Sequence, residues 1–158
     1  MHIGGYCPGC GGGEGNQSCA IARCGMEHGV EFCCFCAAYP CAQYEKMHAY
    51  DVFISHRNQR ADLDRLQCIG LAAYKAELDE RICILKILLE KYNDGRRKTL
   101  FCMAANLLEV SRLRQVMTQM TEETRQEMPR KEKAALAALK LQAEAEKQGV
   151  SLKLRKKP

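Results

Sequence analysis

Eleven cysteines stand in 158 residues, and eight of them fall between Cys7 and Cys41. The spacings are Cys7-x2-Cys10, Cys19-x4-Cys24, Cys33-x2-Cys36 and Cys36-x4-Cys41, with Cys34 beside Cys33. Two thiolates separated by two residues can point at one ion from a tight turn, and four such sulfurs satisfy tetrahedral zinc. The chemistry expected first is therefore metal ligation by Cys7, Cys10, Cys19, Cys24, Cys33, Cys36 and Cys41. Zinc is the expected cofactor, with an iron–sulfur cluster as the alternative, because thiolates hold both.

The ligands can be grouped in more than one way. Cys7, Cys10, Cys33 and Cys36 would close one site between the two Cys-x2-Cys knuckles. Cys19, Cys24 and Cys41 would make a second, with His28 or Cys34 as its fourth ligand. Other chemistries are weaker on the residues. A redox dithiol at Cys33 and Cys36 lacks the strand–helix context of thioredoxin type. The glycine run GCGGGEGN lacks the Gly-Lys-Ser/Thr that closes a phosphate loop, and reads as a flexible turn carrying Cys10. No acid–base or nucleophile pair stands out, so the sequence nominates no catalytic residue.

The elements that must position these thiols differ sharply along the chain. Nine of the twelve glycines lie in the first forty residues, so residues 1–42 form a turn-rich module with little aliphatic content. Crosslinks or metal would have to replace the missing core there. One helical turn is expected over Ala20 to Glu27. From residue 43 the pattern becomes helical. Asn58 is the expected N-cap of a helix through RADLDRLQCIGLAAYKAEL, burying Leu63, Leu66, Ile69 and Ala73, with Gly70 weakening its centre. ERICILKILLEK predicts a helix with Ile82, Leu85, Leu88 and Leu89 inward, stopped by Asn93-Asp94-Gly95. Further helices are predicted from Thr99 and from Ser111, the latter burying Leu113, Val116, Met117 and Met120.

Cys68, Cys83 and Cys102 are expected as small core residues of this helical half. Residues 122–150 read as an extended Ala/Lys/Glu-rich helix opening at Pro129. Its few large apolar residues, Leu136, Leu139 and Leu141, suggest a solvent-exposed or partner-seeking helix. Residues 151–158 read as a basic disordered tail. The fold class expected is mainly α, with a small irregular cysteine-rich, zinc-knuckle-like module packed on a helical half (43–121).

The net charge of +5 is a property of the C-terminal end. Residues 1–50 sum to −2, residues 51–128 to +1 and residues 129–158 to +6. That distribution argues against a nucleic-acid role for the cysteine module. Arg96, Arg97 and Lys98 with Arg112 and Arg114 could form one basic face, read first as solvated surface. The aromatic stock, Tyr39, Tyr44, Tyr50, Tyr74 and Phe101, is assigned to packing. With no tryptophan and no Lys/aromatic stripe, there is no base-stacking platform. No stretch is apolar enough to span a membrane and no secretory leader is visible, so a reducing cytoplasm is the expected compartment.

Cys-Pro-Gly-Cys at 7–10, C-A-I-A-R-C at 19–24, E-H-G-V-E-F-C at 27–33 and C-A-A-Y-P-C at 36–41 resemble a prokaryotic cysteine-rich family catalogued as "domain of unknown function 3795". Asn58, Leu66, Ile69 and Gly70-Leu71 match a later motif, extending the resemblance over roughly residues 6–120. The family's usual first cluster, C-G-x-x-C-x-x-C, is missing before Cys7, which favours one robust site over two. The resemblance implies metal binding and supplies no reaction. The function expected is a cytoplasmic, metal-binding protein with a protein-docking or regulatory role. The alternatives are an iron–sulfur or thiol redox accessory protein and a zinc-knuckle nucleic-acid-binding protein. A protein partner is expected, and neither nucleic acid nor membrane.

Overall fold

The structure is a computed structural model that describes residues 20–43, 50–51 and 55–156. The described residues form α1 (Ala20–Glu27), a 3-10 turn (Cys33–Phe35), α2 (Gln59–Ile69), α3 (Leu71–Lys91), α4 (Lys98–Leu107), α5 (Val110–Glu123) and α6 (Arg130–Lys147). The expected mainly α class holds. None of the described helices is long and apolar enough to cross a membrane. The start of the region expected to be helical, residues 44–49 with Tyr44, lies outside the described residues.

One predicted helix is two. Gly70 sits at φ 80° and ψ 161°, a conformation L side chains rarely adopt, and it is at once the C-cap of α2 and the N-cap of α3. The break turns the chain, and α3 then runs unbroken through the segment predicted to begin at Glu80. Asn58 precedes α2 as expected, but its side chain does not cap the helix. Its Nδ2 donates instead to the carbonyl of Leu107 (3.2 Å), fastening α2 to the end of α4.

The core lies among α3 to α6. Leu88, Phe101, Leu108, Leu113, Met120 and Leu141 are fully buried there. The predicted stripes are recovered in Leu85 and Leu88 on α3 and in Leu113, Val116 and Met120 on α5. Ile84 is buried on α3 as well, while Ile82 is only half-buried. α4 starts at Lys98, one residue before Thr99, and α5 starts at Val110, before Ser111.

Arg81 satisfies orphan carbonyls at the end of α4, donating from one nitrogen to Ala105 (2.8 Å) and Leu108 (2.6 Å). Arg130 does the same for the end of α3, donating to the carbonyls of Glu90 (2.9 Å) and Asn93 (2.8 Å).

Three expectations are overturned in this half. α6 is not a free helix: Ala134, Ala137, Ala138, Leu141 and Ala145 are buried against its neighbours. Alanines let helix backbones approach closely, so the face that looked too small for a core is what fits one. Cys68 and Cys83 are exposed, because the inward faces of α2 and α3 are set by Leu66 and by Ile84, Leu85 and Leu88, whereas Cys102 on α4 is half-buried and packs against the core as expected.

Residues 151–156 are not a loose tail either. Leu152 is buried in the core, and Arg57 donates to the carbonyls of Ser151 and Lys153, both at 2.7 Å. Asp51 accepts from the backbone N–H of Arg155 (2.8 Å) and from Ser55 Oγ (3.1 Å), and its own N–H donates to the carbonyl of Arg155 (2.9 Å).

Candidate functional site, a pocket of four thiols

The cysteine module is shaped by two tight turns. α1 ends where Gly29 takes φ 65°, with Gly29 N–H donating to Met26 (3.2 Å) and Val30 N–H reaching back to Gly25 (2.9 Å). This paired closure is a Schellman motif, and glycine carries it without a Cβ penalty. The chain then enters the 3-10 turn, where Cys36 N–H donates to the carbonyl of Cys33 (2.9 Å). Side chains three apart in a 3-10 turn eclipse, so Cys33 and Cys36 share a side.

These turns bring Cys24, Cys33, Cys36 and Cys41 onto one cavity of about 30 Å³, lined also by Gly25, His28, Val30 and Tyr39. All four are free thiols and all are half-buried. Cys34 faces the other way. It is 4% exposed, and Gln67 on α2 donates to its carbonyl at 2.6 Å. Its adjacency to Cys33 thus serves the attachment of the module to α2, and burial raises its thiol pKa.

Tyr39 fixes the far wall. Its hydroxyl donates to Asp64 Oδ1 on α2 at 2.7 Å, and burial together with that carboxylate pushes its pKa up to about 12. Phe32 and Phe35 meet edge-on across the turn at 6.1 Å.

His28 lines the cavity without being a base for Cys24. Its Nδ1 lies 2.9 Å from the Cys24 carbonyl and 3.6 Å from Cys24 Sγ. A carbonyl only accepts, so Nδ1 carries the hydrogen and cannot take the thiol's proton. The Cys24 thiol is held above its ordinary pKa, by burial first and then by the charges of Cys41, Cys36 and Glu27. It stays protonated at neutral pH.

The expected cofactor is corrected. A zinc site needs its donors near 2.3 Å from one point. Lining one cavity is a weaker condition, and among the described residues no three His, Cys, Asp or Glu gather into a group that could hold a metal ion. Neither zinc nor an iron–sulfur cluster is supported, and no zinc-knuckle-type cluster is present among the described residues. Of the seven candidate ligands, Cys24, Cys33, Cys36 and Cys41 come together as thiols. Cys7, Cys10 and Cys19 lie outside the described residues.

Arg96, Arg112 and Arg114 are exposed, as the solvated-surface reading has it, and they do not form one face. Arg114 forms a two-pronged pair with Glu80 (2.8 and 2.9 Å), and Arg112 bonds Gln115 (3.0 Å). Arg96 lies instead in a cleft with Arg130 and Lys131.

Sequence reading missed the Tyr39–Asp64 and Gln67–Cys34 bonds and the grip of Asp51 and Arg57 on the C-terminal residues. None has a local signal, since the partners stand from 25 to 104 positions apart.

Comparison with curated proteins and with solved structures gives no match. A family model described as "Protein of unknown function (DUF3795)" matches residues 2–46, so the likeness is confined to the cysteine module and does not extend over the helical half, as the motif at Asn58 to Leu71 had suggested.

Proposed function

We propose that the chain is a thiol redox accessory protein whose working pair is Cys33 and Cys36. The observation that carries this reading is their placement. Both are free thiols at the two ends of one 3-10 turn, on one side of it, facing a cavity they share with Cys24 and Cys41. A reacting pair with further thiols at hand can exchange with a disulfide and then be resolved within the module.

The electron balance is that of thiol–disulfide exchange with a low-molecular-weight disulfide such as oxidised glutathione. The thiolate of one cysteine attacks a sulfur of the disulfide, breaking its S–S bond and releasing one small thiolate. The second cysteine, after losing its proton to solvent, attacks the mixed disulfide and releases the second small thiolate. The protein dithiol is oxidised by two electrons and the small disulfide is reduced by two. Cys24, whose thiol pKa is raised by burial and by its neighbours' charges, is a poor attacker at neutral pH.

Reduced protein equilibrated with graded glutathione buffers, trapped by alkylation and mapped by peptide mass, tests the proposal. A Cys33–Cys36 disulfide should accumulate as the buffer becomes oxidising, and either serine variant should abolish it. Two freely alkylated thiols at Cys33 and Cys36 in the most oxidising buffer would overturn it.

A further inference from the structure

Where α3 hands over to α4, the chain passes close to the start of α6. Asn93, Asp94, Gly95 and Arg96 form one wall of a cleft of about 650 Å³, and Arg130 and Lys131 form the other. The loop wall is rigidly built. Asn93 Oδ1 accepts from the N–H groups of Gly95 (3.1 Å) and Arg97 (3.3 Å), and Asp94 Oδ1 accepts from that of Arg96 (3.1 Å).

The charge in this cleft is one-sided. Asp94, its one carboxylate among the described residues, is answered from outside by Arg97 at 3.6 Å. Arg130 is anchored on two backbone carbonyls, which fix its guanidinium without neutralising it. Arg96 and Lys131 are exposed and form no ion pair among the described residues. Three cations on two separate elements therefore face one space without a carboxylate of their own. The positive end of the eighteen-residue α6 lies in the same place and adds to the field without making the site.

We propose that this cleft docks an acidic peptide segment, rich in Asp and Glu, of a protein partner. Charge complementarity selects an anionic occupant. The cleft's size is that of a ligand site rather than of a single ion. Among the described residues no aromatic side chain lines it, so bases find nothing there to stack on, and the observations favour carboxylates over nucleic acid. The assignment is independent of the thiol pocket, since the cleft is built by the helical half.

Fluorescence anisotropy of a fluorescein-labelled oligoglutamate peptide, with full-length protein at low and at physiological salt, tests this. The key variant is Arg96→Glu with Lys131→Glu. Arg130 is left intact because it holds the end of α3. Circular dichroism confirms that each variant folds. The paired control is Lys153→Glu with Lys156→Glu, which reverses as much charge at the C-terminal end.

Binding that weakens about tenfold in the cleft variant, and much less in the control, supports the docking site. Equal weakening in both variants means diffuse electrostatics and overturns it. So does absence of binding at low salt, and so does tighter binding of labelled oligothymidylate than of oligoglutamate through the same two residues.

Discussion

The module of residues 20–43 and the bundle of α3 to α6 are held by different forces. In the module, only Ile21 and Cys34 are buried, and the geometry comes from a Schellman closure, a 3-10 turn and hydrogen bonds to α2. The bundle instead has a continuous core around Leu88, Phe101, Leu113, Met120 and Leu141. A module fixed by a few polar contacts can open locally at small cost, whereas a packed core opens only globally. Thiols that must meet a partner in exchange belong in the first kind of region. A docking surface that must keep its shape belongs on the second.

The sharpest way to break this comparison is to damage the core. Phe101→Ala should cost about 3–5 kcal/mol, because Phe101 is completely buried and its removal leaves a cavity. Urea unfolding should show a lower midpoint with little change in slope. A loss below about 1 kcal/mol would mean that the bundle is not the stabilising half.

Acid should act next, through the contact that ties the C-terminal residues down. Burial raises the Asp51 pKa, but hydrogen bonds from Arg155 and Ser55 and the charge of Arg155 outweigh it and lower it from 3.8 to about 2. The stabilisation is therefore complete above pH 3.8 and is lost as pH falls toward 2. Asp51→Asn should cost roughly 1–3 kcal/mol at neutral pH and remove this part of the acid transition. Hydrogen exchange should then rise in residues 150–156 before it rises in α5. Unchanged protection there would show that Leu152 and Arg57 hold the segment without Asp51.

The smallest effect belongs to the module. Tyr39→Phe removes the bond to Asp64 and should cost only about 1 kcal/mol. It should raise the alkylation rates of Cys33, Cys36 and Cys41 while leaving the urea midpoint of the bundle nearly unchanged. A large fall in that midpoint would mean that the two regions unfold as one.

Much of the bundle was legible because its signals are local. The 3.6-residue recurrence of Leu85 and Leu88, or of Leu113, Val116 and Met120, marks the inward face wherever the helix is placed. The alanines of α6 misled, since a small apolar face gains a core only when a neighbour comes close enough to fill it. The exposed Cys68 and Cys83 misled for the converse reason: apolar composition does not say which face turns inward.

In the site, the cysteine cluster was conspicuous, and its convergence on one cavity was not. Spacing pointed to metal ligation first, because it does not say whether the sulfurs can reach one point. By itself the sequence determined the helical class and the crowding of thiols, because propensity and residue spacing act over a few positions. Tertiary structure decided which thiols meet, where α6 and the C-terminal residues lie, and that Arg96 joins Arg130 and Lys131 rather than Arg112 and Arg114. Those outcomes depend on contacts between residues far apart in the chain, and no local pattern encodes them.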